Sequence, residues 1–234
     1  MLPPWTQEGG ALATLERLQD PSLRERIVRD MYDPDSSPEN LFAHCGPEAI
    51  VIADSGSDGS DDVVGRSVAE VADDRSTEAG QTVIDLLLES RLATSVILHH
   101  SSEETVRAIA KHPLMLVGTD GIFATRPHPR LWGTAPKVLG RFAIREQLFS
   151  AQEAIARLTT RAARRIGLTD RGSIREGLRA DLVAFDPEAI VDRSTYEEPE
   201  TPPGGVAWVV VGGQIAVDPN GLTGRRGGGV ARRR

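Results

Sequence analysis

Short apolar runs that alternate with helical segments constrain the fold of this chain more than any other feature. The runs at residues 49–53, 95–98 and 114–117 are bounded by turn-forming residues, which is typical of buried strands. Residues 77–90 form an amphipathic helical pattern, and a capping-box sequence at 101–104 opens a second helix. Strands separated by helices indicate parallel βαβ units, so the sequence predicts an α/β fold.

Further helical segments flank this alternating region. They are predicted at residues 10–18, 22–31, 136–147 and 151–164. Asp20 and Pro21 provide an N-cap and a first-turn proline for the second of these helices. Residues 54–62, rich in Ser, Gly and Asp, predict an exposed loop rather than a calcium site, because a twelfth-position glutamate is missing.

The sequence changes character near residue 170. Short strands separated by Gly, Pro and Asp turns are predicted at residues 172–174, 180–185, 206–211 and 214–217. Gly212 and Gly213 favour a tight hairpin between the last two strands, because glycine adopts positive φ easily. The Gly- and Arg-rich tail after Thr223 is expected to be frayed.

The composition is typical of a soluble, folded protein of one or two domains. Hydrophobic residues make up 39% of the 234 residues and charged residues 26%, which argues against a wholly disordered chain. The net charge of −7 gives no reason to expect nucleic-acid binding. We find neither a membrane-spanning apolar run nor a signal-like start, and we expect a cytoplasmic protein without a membrane partner. The single cysteine, Cys45, excludes an intrachain disulfide.

The candidate functional groups lie in residues 120–130. Asp120 follows the third apolar run, and the loop after it carries His128 and Arg130. α/β enzymes place their chemistry at strand ends of this kind. The alternative is that Asp120 caps a turn and both basic residues are solvated, and the local sequence does not decide between the two.

Two histidines are candidates for supporting roles. His100 ends the strand before Asp120 in the predicted order, and a role at the entry of the next helix, beside the reacting groups, is favoured over direct catalysis. His128 lies between two prolines and is expected to shape the loop that presents Arg130.

A series of short motifs extends over nearly the whole chain. They are Leu2-Pro-Pro-Trp5, Val117-Gly-Thr-Asp-Gly121, His128-Pro-Arg130, Leu131-Trp-Gly-Thr134, Pro136-Lys-Val-Leu-Gly140 and Ala180-Asp-Leu-Val183. In this order the chain resembles the C-terminal portion of the D-aminoacylases, the N-acyl-D-amino-acid deacylases of the amidohydrolase superfamily.

The resemblance implies a fold, a reaction and two site residues. Residues 1–168 would supply the last βα units of a distorted (β/α)₈ TIM-like barrel, and residues 169–234 a β-sandwich segment. The implied reaction is hydrolysis of the amide bond of N-acyl-D-amino acids, with Zn²⁺ activating water. Asp120 matches the aspartate that transfers protons from water to the leaving amine. Arg130 matches the arginine that binds the substrate α-carboxylate.

The chain departs from this family in its metal ligands. Family members carry a His-x-His pair, a cysteine ligand and two later histidines, whereas no His-x-His occurs here. We therefore expect no metal site in this polypeptide and an incomplete enzyme, whose metal-bearing N-terminal half is encoded separately or lost. An incomplete barrel also predicts an open outer edge on the strand at 49–53.

Two other functions stay open at this point. One is that the chain is not catalytic, either as a remnant or as the partner that completes a split barrel with a separate N-terminal half. The other is that it belongs to a related amidohydrolase that acts on a cyclic amide, but the His-Pro-Arg and Leu-Trp-Gly-Thr motifs argue against this.

Overall fold

The computed structural model describes residues 1–56 and 61–232, and these fall into two compact units. The first unit comprises Met1–Ser102 with Ile122–His128, and the second comprises Glu103–Gly121 with Pro129–Arg234. Residues 57–60 of the predicted loop and the last two residues of the tail lie outside the described part. No helix in the described ranges has the length and apolar character needed to cross a bilayer. The predicted division at 168/169 concerns a complete enzyme and stays a prediction.

Helices make up most of the first unit. They are α1 (Gly10–Gln19), α2 (Pro21–Tyr32), α3 (Leu41–Cys45), α4 (Val68–Arg75) and α5 (Ala79–Glu89). The carboxylate of Asp20 accepts hydrogen bonds from the backbone N–H groups of Ser22 and Leu23, which confirms the predicted start of α2.

One apolar cluster holds these helices together. Fully buried side chains of α1, α2, α3 and α5 pack together with Ile50 of the first strand, and they include Leu18, Ile27, Phe42 and Ile84. Burying a side chain of this size stabilises the folded state by roughly 1.5–3 kcal/mol.

The strands of the first unit, β1 (Ile50–Asp54) and β2 (Ser95–Leu98), are antiparallel, with Ile50 opposite Leu98. The prediction of parallel pairing here was wrong. Hydrophobic periodicity identifies a buried strand but carries no information about its direction. The chain between the two strands is long enough to return in either sense.

The outer edge of β1 is covered rather than open. Ile52 donates its backbone N–H to the carbonyl oxygen of Arg66 at 2.9 Å, and Gly65 donates to the carbonyl oxygen of Ile52 at 2.7 Å. The prediction of an unpaired edge was therefore wrong, because the turn before α4 occupies it.

The second unit begins with helices. They are α6 (Glu103–Lys111), α7 (Arg130–Pro136), a π-helix (Lys137–Arg145), α8 (Ala151–Leu158) and α9 (Thr160–Arg165). Residues 114–117 form no strand, and 82% of the Leu114 surface is exposed, so the prediction of a buried strand there was wrong. The helix predicted at 151–164 breaks at Thr159, whose φ and ψ of −126° and −91° are not helical.

The helix predicted from residue 136 is present, but it is wound as a π-helix. Glu146 donates its backbone N–H to Arg141, five residues earlier, at 2.8 Å. Gly140 lies against the backbone of Ile190, where an added Cβ would come within 2.4 Å of the carbonyl oxygen. Only glycine allows this close approach.

An antiparallel sheet completes the second unit. Its strands are β3 (Leu182–Phe185), β4 (Val206–Val211), β5 (Gln214–Asp218) and β6 (Gly221–Leu222), in that order. Val211 pairs with Gln214 across Gly212 and Gly213, whose φ values are 56° and 80°, so the predicted hairpin is confirmed. The strand predicted at 172–174 is absent. In the described residues the sheets are antiparallel and the architecture is mixed α/β.

Candidate functional site

Asp120 lies in an irregular segment of the second unit, not at a strand end as predicted. Its backbone has a φ of 46°, a left-handed conformation that aspartate adopts more readily than most residues. The side chain is 81% exposed. The carboxylate is therefore presented to solvent.

Arg130 is the first residue of α7. Its Nη2 atom lies 2.8 Å from Oδ2 of Asp120, and its side chain is 38% exposed. The two residues singled out from the sequence are thus in direct contact. An ion pair with this exposure contributes little to stability, so either member can exchange its partner at small cost.

Close backbone packing brings the pair together. A Cβ atom added to Gly121 would lie 2.3 Å from the side chain of Leu131 and 3.1 Å from its Cα atom. Gly121, which follows Asp120, therefore packs closely against Leu131, which follows Arg130. Because these two neighbours are in contact, the side chains of Asp120 and Arg130 have only a short distance to bridge.

Tyr196 is a further residue near Arg130 that the sequence did not single out. Burial raises the pKa of its phenol, the positive charge of Arg130 acts in the opposite direction, and the negative charge of Glu103 adds to the rise. Tyr196 follows α7 by about sixty residues and lies outside every helix and strand predicted from the sequence. No sequence signal connected it with Arg130.

The loop that carries Tyr196 is held against α7. A Cβ atom on Gly133 would lie 2.3 Å from Oδ1 of Asp192, so glycine is required for this contact. The same Oδ1 atom accepts a hydrogen bond from the backbone N–H of Ser194 at 3.0 Å. This turn fixes the chain shortly before Tyr196.

His100 and His128 both belong to the first unit, whereas Asp120 and Arg130 belong to the second. Nδ1 of His100 lies 3.1 Å from the hydroxyl of Ser101 at an exposed position. His128 follows Pro127, which is fully buried. The supporting roles of these histidines stay predictions.

Asp54, at the end of β1, is a carboxylate with a structural role. It accepts hydrogen bonds from the backbone N–H of Gly56 at 2.8 Å and from both the N–H and the hydroxyl of Thr125, at 3.0 and 2.8 Å. These hydrogen bonds lower the pKa of Asp54. The carboxylate thereby ties residues 122–128 to β1 within the first unit.

The side chains of the described residues do not fit a zinc site. Within residues 1–56 and 61–232, no group of three or more His, Cys, Asp or Glu side chains is placed to hold a metal ion. Zinc sites in proteins need three or four such ligands. Cys45 is a free, half-buried thiol.

Residues 64–217 match the model of the amidohydrolase family. A D-aminoacylase of Alcaligenes xylosoxydans xylosoxydans is 36% identical over 170 residues, which is 72% of this chain and 34% of the relative. An N-acyl-D-glutamate deacylase of the same organism is 30% identical over 231 residues, 98% of this chain and 46% of the relative. The chain thus spans less than half the length of these curated relatives.

Solved structures of deacylases are also similar to this chain. A D-aminoacylase crystal structure superposes with a TM-score of 0.71 at 31% identity, covering 79% of this chain and 38% of the other. An N-acyl-D-glutamate deacylase from Bordetella bronchiseptica, solved with zinc and a phosphonate mimic of the tetrahedral intermediate, gives 0.72 at 31% identity and covers 82% and 39%. A further D-aminoacylase structure concerns a binuclear metal centre.

Proposed function

Because this chain belongs to the amidohydrolase family, we propose that it forms part of a hydrolase that cleaves the amide bond of N-acyl-D-amino acids. The names of the relatives, D-aminoacylase and N-acyl-D-glutamate deacylase, support this substrate class. In such an enzyme residues 1–168 would belong to the barrel and residues 169–234 to the sandwich. The TM-scores of 0.71 and 0.72 to deacylase structures support that arrangement.

The observation that carries the proposal is the contact between Asp120 and Arg130. A guanidinium group binds a carboxylate through two parallel hydrogen bonds, so Arg130 is suited to hold the α-carboxylate of an N-acyl amino acid. When substrate binds, its carboxylate replaces that of Asp120 on Arg130. Asp120 is then released next to the amide nitrogen.

The released carboxylate performs the proton transfers. Water attacks the acyl carbon, Asp120 accepts a proton from this water, and the C–N bond breaks as Asp120 delivers the proton to the leaving amine. The products are a carboxylate and a free D-amino acid. His128 shapes the loop that leads to Arg130, and His100 has a role at the entry of the next helix.

The metal ligands of a complete enzyme would lie outside the described residues. The described residues contain no group that would hold zinc, whereas the N-acyl-D-glutamate deacylase was solved with zinc. A separate N-terminal half is the partner that would supply them. The proton transfers proposed for Asp120 do not require any residue of this chain to bind the metal.

A chimera tests the proposal. The segment of the Alcaligenes D-aminoacylase that matches this chain is replaced by the chain itself, and hydrolysis of N-acetyl-D-glutamate and its L-enantiomer is measured. We expect release of free D-glutamate and much slower reaction of the L-enantiomer. A folded, metal-loaded chimera that hydrolyses neither enantiomer, and no other N-acetyl-D-amino acid, would contradict the proposal.

A second candidate function is that of a chain that is not catalytic by itself, either a remnant or the partner in a split enzyme. The missing metal-binding group among the described residues favours it. The purified chain is assayed alone with added Zn²⁺ and then together with the remaining N-terminal segment of the D-aminoacylase. Activity only in the mixture supports a split enzyme, inactivity in both supports a remnant, and activity of the chain alone excludes both.

A further inference from the structure

A cleft of about 340 Å³ lies between α9 and the loop that follows it, within the second unit. Its polar lining consists of one carboxylate, that of Glu176, together with hydroxyl and guanidinium groups from Thr160, Arg164, Thr169, Arg171, Ser173 and Arg175. We propose that this cleft binds a small organic anion that carries phosphate or carboxylate groups.

The floor of the cleft is fixed by packing and hydrogen bonds. The Thr160 hydroxyl donates to the carbonyl oxygen of Gly172 and lies 3.3 Å from the Ser173 hydroxyl. Gly172 has a φ of 84°, and an added Cβ would lie 2.9 Å from Ala163. The loop is therefore held against α9 at this point.

Arg171 is held in place by two acids. Its side chain is 22% exposed, with Nε 3.3 Å from Asp170 and Nη1 3.2 Å from Asp181. Hydrogen bonds from Arg171 and Arg179 lower the pKa of Asp170, so this carboxylate is shared between two arginines. Nη2 of Arg171 has no partner among residues 1–56 and 61–232 and is available to a ligand.

The cleft carries more positive charge than the neighbouring acidic side chains neutralise. The guanidinium groups of Arg164 and Arg175 form no hydrogen bond or ion pair within the described chain. Glu176 is the acid that lines the cleft together with three arginines. Several guanidinium groups around one concave surface favour an oxyanion over a neutral or cationic ligand.

The shape and the remaining walls define the class of ligand. Leu168 and Leu178 line the cleft beside the arginines and would contact the carbon skeleton of a ligand. A volume near 340 Å³ lies at the lower end of the range for small-molecule sites. A phosphomonoester and a dicarboxylate share the required chemistry, since guanidinium groups bind phosphate and carboxylate through the same paired hydrogen bonds.

The test is a titration followed by ¹H–¹⁵N correlation spectra at low ionic strength, with inorganic phosphate and with succinate as probes. We expect saturable shifts of the Thr169 and Ser173 amide signals for at least one probe. If phosphate binds more tightly, the ligand is of the phosphomonoester class, and if succinate binds more tightly, it is a dicarboxylate.

Variants separate a specific site from general attraction. The double variant Arg164→Gln/Arg175→Gln should weaken binding by at least about tenfold, because it removes two guanidinium groups that form charge-assisted hydrogen bonds with the anion. Arg165→Gln/Arg225→Gln removes the same charge from exposed positions outside the cleft and should change the affinity less than about twofold. Glu176→Gln should tighten binding.

Two outcomes would overturn the proposal. One is that neither probe gives saturable shifts at the cleft. The other is that both double variants weaken binding equally, which would mean that only overall charge matters. Because Arg164 and Arg175 are exposed, the circular dichroism spectrum of their double variant is expected to match that of the parent protein.

Discussion

Arg130 and Asp120 form an ion pair with 2.8 Å between Nη2 and Oδ2, although the proposed reaction requires each of them to act on the substrate. The pair therefore describes the site before substrate binds. Asp120 occupies the position on Arg130 that the substrate α-carboxylate takes in the proposed complex. Substrate binding and release of the base are then one event.

Asp120→Asn in the D-aminoacylase chimera should lower kcat by roughly 10²- to 10⁴-fold, because the amide cannot accept the proton from water. The metal content should stay the same, since Asp120 is not proposed as a ligand. Steady-state kinetics and elemental analysis check both points. Asp35→Asn, at an exposed position in the first unit, serves as the control. Nearly full activity of Asp120→Asn would contradict the proposal that Asp120 is the proton-transferring residue.

Arg130→Lys should mainly raise KM for the N-acyl-D-amino acid. Lysine keeps the positive charge but replaces two parallel hydrogen bonds by a point charge, so ground-state binding of the carboxylate weakens. The matched control is Arg29→Lys on the exposed side of α2. If kcat falls while KM is unchanged, Arg130 does not act as the carboxylate clamp.

The purified chain should bind far less than one zinc ion per molecule. The described residues contain no group of three potential ligands, and a stable zinc site requires at least that number in fixed positions. Elemental analysis after dialysis against a mild chelator measures the content. Stoichiometric zinc that survives this treatment would show that the chain has a metal site of its own.

Arg157→Met should destabilise the protein far more than Arg161→Met, although both arginines bind Glu153. Arg157 is 3% exposed, donates to Glu153 at 2.7 Å and to the carbonyl oxygen of Ala110 at 2.5 Å, and stacks on Phe149. Its loss should cost on the order of 3 kcal/mol. The side chain of Arg161 is 43% exposed, and its replacement should have little effect. Urea denaturation of the two variants measures the difference, and equal stabilities would contradict the prediction.

The free energy of unfolding should depend on pH through Glu146. Hydrogen bonds from Arg107 and Arg141 lower its pKa from 4.5 to about 2, so the ionised form stabilises the folded state. This contribution is complete above the unfolded-state value of 4.5 and is lost as the pH falls towards 2. As the pH is lowered from 4.5 towards 2, the free energy of unfolding should therefore fall less for Glu146→Gln than for the parent protein. Glu25→Gln, at an exposed position, should follow the parent curve.

Local sequence signals predicted the local structures well. The N-cap of α2 follows from Asp20 and Pro21, and the β4–β5 hairpin follows from Gly212 and Gly213, because both depend on the conformations of a few adjacent residues. The direction of β2 relative to β1 depends on distant packing, which an apolar run does not encode. The run at 114–117 failed as a strand because apolar composition alone does not provide a pairing partner.

The sequence singled out Asp120 and Arg130 but did not predict the contact between them. The motif match singled out Asp120 and Arg130, yet each was expected to face the substrate rather than the other residue. Their contact depends on the absence of a side chain at Gly121. Tyr196 could not be found from the sequence, because its closeness to Arg130 arises from the fit of Asp192 against Gly133.

The turn at residues 65–66 that covers the edge of β1 has a consequence for the behaviour of the protein in concentrated solution. An exposed strand edge is a template on which a second molecule can extend the sheet, and such growth leads to aggregates. The backbone bonds of Ile52 to Arg66 and Gly65 occupy that template. Loss of this turn would first be seen as reduced solubility, with the fold of each molecule otherwise preserved.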